Sequence, residues 1–118
     1  MTARLDRLRR IALALPETTE RLAWEDHPTF RVRDKIFVIC SATGDGITVK
    51  ATKDDQDALV ATHPRLSVAA YVGRYGWVSM DLKGSGVDWA LVEDLVLESY
   101  RLIAPKRLAA ATRTGDRE

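Results

Sequence analysis

The spacing of hydrophobic residues predicts a chain that alternates between helices and strands. From residue 2 to 15 the apolar positions recur every three or four residues, which indicates an amphipathic helix that Pro16 ends. Beyond Pro28 the period shortens to two, and turn residues divide the segment into three strands, at residues 28–33, 35–40 and 47–50. Thr52 and the acidic residues after it predict a helix that runs to residue 62.

The second half of the chain adds two strands and a long helix. Alternation predicts the strands at residues 67–72 and 77–83, and Asp88 is a typical N-cap for a helix over residues 89–104. Pro105 ends this helix, and one further helical turn is expected at residues 106–111. The predicted buried stripe of the long helix comprises Leu91, Leu95, Val96, Ser99 and Leu102.

These elements predict an α+β fold built on an antiparallel sheet of about five strands, in the order α-βββ-α-ββ-α, with the helices on one face. A chain of 118 residues is long enough for one domain and too short for two cores. We predict a single domain over residues 1–111. Residues 112–118 carry no apolar anchors and are predicted to form a disordered tail.

Strict alternation along the strands assigns side chains to the two faces of the sheet. The inward set is apolar and comprises Phe30, Val32, Ile47, Val49, Val78, Met80 and Leu82. The outward set is mostly polar or cationic and comprises Arg31, Arg33, Thr48, Lys50, Trp77, Ser79, Asp81 and Lys83. An outward tryptophan is unfavourable unless something covers it, and a ligand base, the tail or another subunit would each do so.

The formal net charge of +1 conceals an uneven distribution of charge along the chain. Residues 29–53 contain five cations and two anions, whereas residues 88–104 contain four anions and one cation. A local excess of cations attracts phosphate whatever the total charge is. The alternative is that these cations only solvate an exposed sheet face and discourage edge pairing.

Other candidate chemistry points to structural roles. The loop with Glu25, Asp26 and His27 has the ligand types of a metal half-site or an acid–base pair, but it is also an ordinary turn before Pro28, and we favour the turn. Cys40 is the only cysteine and lies in an apolar strand, where it is expected to be a small buried hydrophobe. The glycine turns match no nucleotide-binding loop. We therefore predict no catalytic residue, no metal and no cofactor.

The same features indicate where the protein resides. A lone cysteine is typical of a reducing compartment, and the charged N-terminal segment lacks the apolar run of a secretory signal. No stretch approaches the length of a membrane span. We expect a cytoplasmic protein without membrane contact.

Several segments together resemble the MmcQ/YjbR family of small bacterial proteins, from about residue 13 to 107. The matching segments are 15–19 (LPETT), 27–32 (HPTFRV), 35–37 (KIF), 49–50 (VK), 77–82 (WVSMDL) and 98–107 (ESYRLIAPKR). The resemblance implies a CyaY-like α+β fold and DNA binding through a double-wing arrangement. It points to His27, Phe30, Arg31, Lys35, Lys50, Trp77, Tyr100 and Lys106, of which Phe30 and Tyr100 are expected to be packing residues. Asp34 departs from the family pattern, which favours glycine in this turn.

Three hypotheses follow. The first is a nucleic-acid-binding module, with DNA as the expected partner, in which Arg31, Arg33, Lys35 and Lys50 contact phosphate and Trp77 stacks on a base. The second is a protein-interaction module, with a homodimer as one form, that uses the face around Trp77. The third is a small-molecule site lined by Trp24, His27 and Trp77.

Overall fold

The structure, a computed structural model, describes residues 3–114. Its four helices are α1 (Ala3–Leu13), α2 (Lys53–Thr62), α3 (Trp89–Ile103) and α4 (Lys106–Thr114), and a short 3-10 helix spans Gly73–Tyr75. Its six strands are β1 (Thr18–Ala23), β2 (His27–Val32), β3 (Lys35–Cys40), β4 (Gly46–Val49), β5 (Leu66–Val68) and β6 (Val78–Asp81). None of the helices in this part of the chain combines the length and the apolarity that crossing a bilayer requires.

The strands form one antiparallel sheet in the order β1-β2-β3-β4-β6-β5. α3 packs across β3 and β4, α1 packs on β1 and α3, α2 packs on β5, and α4 packs on α3. The prediction of an α+β fold with an antiparallel sheet is therefore confirmed. The whole predicted inward set, from Phe30 to Leu82, is buried in the core between the sheet and the helices.

The predicted strand count was low because β1 was not recognised. β1 lies at the edge of the sheet, and Leu22 is 63% exposed, so no alternation of apolar residues marks the strand. A three-residue loop joins it to β2, with Trp24 and Glu25 at positive φ angles of 48° and 72°. An edge strand that buries little leaves almost no periodic signal in the sequence.

Other boundaries also differ from the expectation. β5 ends at Val68, although a strand was predicted to continue to residue 72. α4 runs to Thr114, so it includes residues 112–114 of the predicted tail, and residues 115–118 lie outside the described part of the chain. In α3, Leu95, Val96 and Ser99 are buried as predicted. Val92 and Tyr100 complete the stripe in place of the half-buried Leu91 and the exposed Leu102.

A bulge in β3 shapes the centre of the sheet. Phe30 pairs with Val38 and Arg31 pairs with Ile36, so Phe37 is an extra residue without a partner in β2. Its ring is fully buried and meets the ring of Tyr100 edge to face, with centroids 5.4 Å apart. The bulge therefore turns Phe37 towards α3 and interrupts the β-ladder.

Ser99 of α3 compensates for this interruption. Its hydroxyl donates to the Phe37 carbonyl oxygen at 2.6 Å and accepts from the Lys50 amide nitrogen at 2.9 Å. Val38 and Val49 are the last paired residues of β3 and β4 on this side, so the hydroxyl lies where the next ladder bonds would form. One buried side chain thus satisfies two backbone groups that the strands cannot satisfy themselves.

We expect Ser99→Ala to destabilise the fold by about 2–4 kcal/mol, because each buried backbone group left unsatisfied costs about 1–3 kcal/mol. Urea denaturation measures this as a lower midpoint at an unchanged slope. Ser67→Ala is the matched control, since Ser67 is exposed on β5 and should change stability by less than about 0.5 kcal/mol. Equal midpoints for Ser99→Ala and the wild type would contradict this role.

The β2–β3 turn is strained because two residues with side chains occupy the left-handed region. Arg33 has a φ of 52° and Asp34 a φ of 68°, values that a two-residue hairpin requires and that favour glycine. We expect Asp34→Gly to stabilise the fold by about 1 kcal/mol, since relief of about 1–3 kcal/mol of strain exceeds the entropy that glycine adds. Asp34→Ala is the control, because it removes the same carboxylate but keeps Cβ. If both variants gained the same stability, the cause would be the loss of the Asp34 charge and not the relief of backbone strain.

Candidate nucleic-acid interface

The sheet face opposite the helices, called here the outer face, consists of three rows of side chains that run across the strands. Residues opposite one another in the ladder share a face, so the strand register defines the rows. The end row holds Ala23, His27, Ser41, Gly46, Asp81 and Arg65. The middle row holds Arg21, Thr29, Ile39, Thr48, Ser79 and Ser67. The third row, called here the basic row, holds Thr19, Arg31 and Ile36 by register on β1 to β3; beyond the bulge, alternation from the buried Val49 and Val78 adds Lys50 and Trp77, and Ala69 bonds to Trp77.

Small hydroxyl side chains form the centre of the outer face. The Thr48 and Ser79 hydroxyl oxygens are 2.9 Å apart, and Ser67 lies beyond them on β5. Because these side chains are short, the sheet carries a shallow depression of about 470 Å³ between the end row and the middle row. Serine and threonine hydroxyls commonly donate to phosphate oxygens in nucleic-acid complexes.

Two cations of the basic row keep their charge unpaired. Arg31 is half-buried, and its Nε donates to the Thr29 hydroxyl at 3.1 Å, which orients the guanidinium. Lys50 donates from Nζ to the Tyr75 carbonyl oxygen at 2.6 Å. Neither cation forms an ion pair with a residue in the described part of the chain. No neighbouring carboxylate therefore compensates their charge, and both keep further donors for an anion.

Trp77 lies opposite Lys50 in the same row. Its side chain is half-buried, and its carbonyl oxygen accepts from the Gln56 amide at 2.9 Å and from the Ala69 amide at 3.2 Å. Within residues 3–114 the indole nitrogen donates no hydrogen bond, so it remains available to a ligand. The predicted grouping of Arg31, Lys50 and Trp77 on one face is present.

Two predicted phosphate contacts lie elsewhere. Arg33 is in the β2–β3 turn and pairs with Glu17, a contact that raises the pKa of the guanidinium and lowers the pKa of the carboxyl. Lys35 pairs with Val32, whose side chain is in the core, so Lys35 starts on the helix side of the sheet. The prediction that Arg33 points outward from the sheet was wrong, because alternation stops at a turn.

Asp81 and Lys83, which were also predicted to point outward, lie at the end of β6 and shortly after it. Asp81 accepts from the Lys83 amide at 2.8 Å, and this hydrogen bond lowers the pKa of its carboxyl group. The Lys83 ammonium is 3.6 Å from the same carboxylate. The one acidic side chain among the three rows thus stays ionised, with the Lys83 ammonium beside it as a partial counter-charge.

Sequence reasoning missed two cations of the outer face. Arg21 belongs to the unrecognised strand β1. Arg65 precedes β5 and donates to the carbonyl oxygens of Asp81, Lys83 and Ser85, at 3.0, 2.8 and 2.8 Å. These acceptors lie at least 16 residues away in the chain, so no local pattern could have found them. The Thr18–Thr19 pair, with its β-branched side chains, was the available signal for β1.

The proposed small-molecule pocket is not formed. His27 lies in the end row on β2, whereas Trp77 lies in the basic row directly before β6, and β3 and β4 run between β2 and β6. Trp24 is 67% exposed and meets the His27 ring at a right angle, 5.9 Å between centroids. His27 Nδ1 is 2.8 Å from the Asp26 carboxylate, and no group of three metal-ligating side chains occurs among residues 3–114.

The packing roles expected of three other residues are present. Phe30 is fully buried, and the buried Tyr100 donates from its hydroxyl to the Pro16 carbonyl oxygen at 2.7 Å. Cys40 is also fully buried, and burial raises the pKa of its thiol to about 12. Lys106 is exposed at the start of α4, away from the outer face.

The raised thiol pKa predicts a loss of stability at alkaline pH. The unfolded thiol ionises near its ordinary pKa of 9.0, whereas the folded thiol stays protonated up to about 12, so rising pH favours unfolding in this window. Below pH 9 the Cys40 thiol does not reduce the free energy of unfolding. Between pH 9 and about 12 the free energy of unfolding falls by about 1.4 kcal/mol per pH unit. Urea denaturation at pH 8, 9 and 10 should show a flatter decline for Cys40→Ala than for the wild type. Parallel declines would contradict the shift.

Comparison with known proteins adds two findings. The model of the YjbR family matches residues 13–102. The crystal structure of the Deinococcus radiodurans protein DR2400, described as having a DUF419 domain, is similar with a TM-score of 0.75 and 22% sequence identity, over 84% of this chain and 77% of that chain. At this identity the similarity establishes the fold alone. No curated protein matches the chain.

Proposed function

The chain belongs to the YjbR family, and we propose that it binds single-stranded nucleic acid, with DNA as the first candidate, through the basic row of its outer face. The observation that carries this proposal is the pair of unpaired cations, Arg31 and Lys50, in one row with Trp77. Neighbouring strands are about 4.8 Å apart, so the backbones of β2, which holds Arg31, and of β4, which Lys50 directly follows, are about 10 Å apart across β3.

The chemistry of the outer face suits a polyanion. The guanidinium of Arg31 and the ammonium of Lys50 would contact phosphates, and the hydroxyls of Thr48, Ser67 and Ser79 in the middle row would donate to phosphate oxygens. Asp81 lies in the end row beyond the middle row, and the Lys83 ammonium beside it partly offsets its charge. Local charge determines the field that a phosphate meets, so the near-neutral net charge is compatible with binding.

The shape of the face favours single strands. None of the described helices lies on the outer face, so no helix is placed to enter a major groove and read base edges. Unpaired bases, in contrast, expose the ring faces that stack on an indole such as Trp77. Binding of this kind depends on salt and varies little with sequence.

Fluorescence anisotropy with a labelled oligothymidine over a salt series tests the proposal. Affinity should fall as salt rises, and the double variant Arg31→Ala with Lys50→Ala should lower the slope of log K against log salt by about 1.4, since each phosphate contact on a single strand contributes about 0.7. Arg10→Ala with Arg107→Ala is the matched control, because it removes the same charge from exposed helix positions. The control should keep the wild-type slope.

Two further outcomes define the site. Lys35→Ala should bind as the wild type does, since Lys35 starts on the helix side. Absence of wild-type binding even at low salt would overturn the proposed function. An equal loss of slope in the control pair would show that net charge, and not the basic row, governs binding.

A further inference from the structure

The segment that joins β5 to β6 exposes two tyrosines. Tyr71 is 98% exposed and Tyr75 is 56% exposed. Tyr71 also has a φ of 66°, a left-handed conformation that costs a bulky residue about 1–3 kcal/mol. Tyr71 therefore does not pack in the core, although its backbone is strained. An exposed aromatic side chain of this kind is typical of a binding site.

The backbone of this segment is held firmly in place. The buried amide of Gln56 donates to the carbonyl oxygens of Gly73 and Trp77, at 2.6 and 2.9 Å. A Cβ at Gly73 would lie 2.3 Å from the Val68 side chain, and one at Gly76 would lie 2.1 Å from the Ala51 carbonyl oxygen. These close approaches fix the path of the chain, so the tyrosines are presented by a preorganised support.

The surroundings of the tyrosines are cationic. Residues 63–80 contain Arg65 and Arg74 and no acidic residue. The Arg74 guanidinium lies 5.0 Å from the centre of the Tyr75 ring and donates to the Tyr75 hydroxyl at 3.0 Å. The Lys50 ammonium is bonded to the Tyr75 carbonyl oxygen, so the segment adjoins the basic row. Aromatic rings interleaved with cations match the chemistry of a nucleic-acid strand.

We infer that residues 69–77, called here the aromatic loop, form a base-stacking platform at the end of the basic row. Tyr71 and Tyr75 stack on successive unpaired bases, and the basic row holds the phosphates that connect them. This inference rests on the proposed function, and it extends the site beyond Trp77 to the edge of the sheet. The absence of acids in the segment and the cations beside the rings favour a nucleic acid over a protein surface.

The test separates stacking from phosphate contacts. The double variant Tyr71→Gly with Tyr75→Ala removes both rings, and it relaxes the left-handed backbone at position 71, so the variant should fold with at least wild-type stability. Its affinity for oligothymidine should fall about five-fold or more for each ring lost. The salt slope should stay at the wild-type value, because Arg31 and Lys50 remain. Tyr71→Phe with Tyr75→Phe keeps the rings and should retain wild-type affinity.

A second experiment uses an oligonucleotide with abasic sugars, which has phosphates but no bases to stack on the tyrosines. Wild-type protein should bind it more weakly than oligothymidine of the same length. The ring-deleted variant should show a smaller difference between the two, because Trp77 alone remains to stack on a base. If the ring-deleted variant binds oligothymidine as tightly as the wild type does, with its salt slope intact, the stacking inference is overturned while the proposed function stands. If the wild type binds no oligonucleotide, both are overturned. Concentration-dependent sedimentation that disappears in the ring-deleted variant would then assign the loop to a protein interface.

Discussion

The hydroxyl of Ser99 lies where the ladder between β3 and β4 stops, and the arrangement of both sheet faces depends on this contact. It donates to the Phe37 carbonyl and accepts from the Lys50 amide, so the bulge in β3 leaves neither of these two backbone groups without a hydrogen bond. On the helix side, the bulge lets Phe37 pack against Tyr100. On the outer face, the same contact fixes the backbone of Lys50, whose ammonium reaches the aromatic loop. One helix residue thus connects the core to the candidate site.

Several cations of the protein are paired with carboxylates, whereas Arg31 and Lys50 are not. On the helix side and at the turns, arginines are matched with carboxylates, as in the pairs Arg9–Glu20, Arg4–Asp45 and Arg33–Glu17. Such exposed pairs contribute little to stability, about 0–1 kcal/mol each, but they cancel local fields. On the outer face Arg21 pairs with Asp34 and Lys83 with Asp81, whereas Arg31 and Lys50 have no carboxylate partner within residues 3–114, so their positive potential is not compensated locally. A chain with a formal net charge of +1 thus presents two locally uncompensated cations on one sheet face.

The sequence predicts those parts of the fold that rest on local rules. Asp88 caps α3 and Thr52 caps α2 through hydrogen bonds to backbone amides, as their residue types predict. Alternation correctly predicts the buried face of β6 and β4, because these strands run without interruption. It fails at the β2–β3 turn and at the bulge, where an extra residue changes which face the following side chains occupy. It also fails for β1, whose position comes from pairing with β2 and not from burial.

The candidate site shows the same division. Arg31, Lys50 and Trp77 follow from alternation alone, whereas Arg65 gains its place from carbonyl groups distant in the chain. By residue type, the segment Arg74–Trp77 is compatible with base stacking or with an ordinary turn, and the turn is the simpler interpretation, so the sequence alone assigns no role to Tyr71 and Tyr75. Their exposure and the strain at Tyr71 are properties of the folded chain that no residue pattern reports.

Gly76 fixes the backbone path of the aromatic loop independently of the exposed side chains that the loop carries. Its φ of 101° and its contact with the Ala51 carbonyl mean that any side chain there would push β6 away from the start of α2. Tyr71, Arg74 and Tyr75 face solvent, so their side chains can be exchanged at little cost to folding. The loop is therefore a rigid frame with interchangeable side chains. Such a frame allows ligand preference to be altered, by selection or by engineering, without rebuilding the domain that supports it.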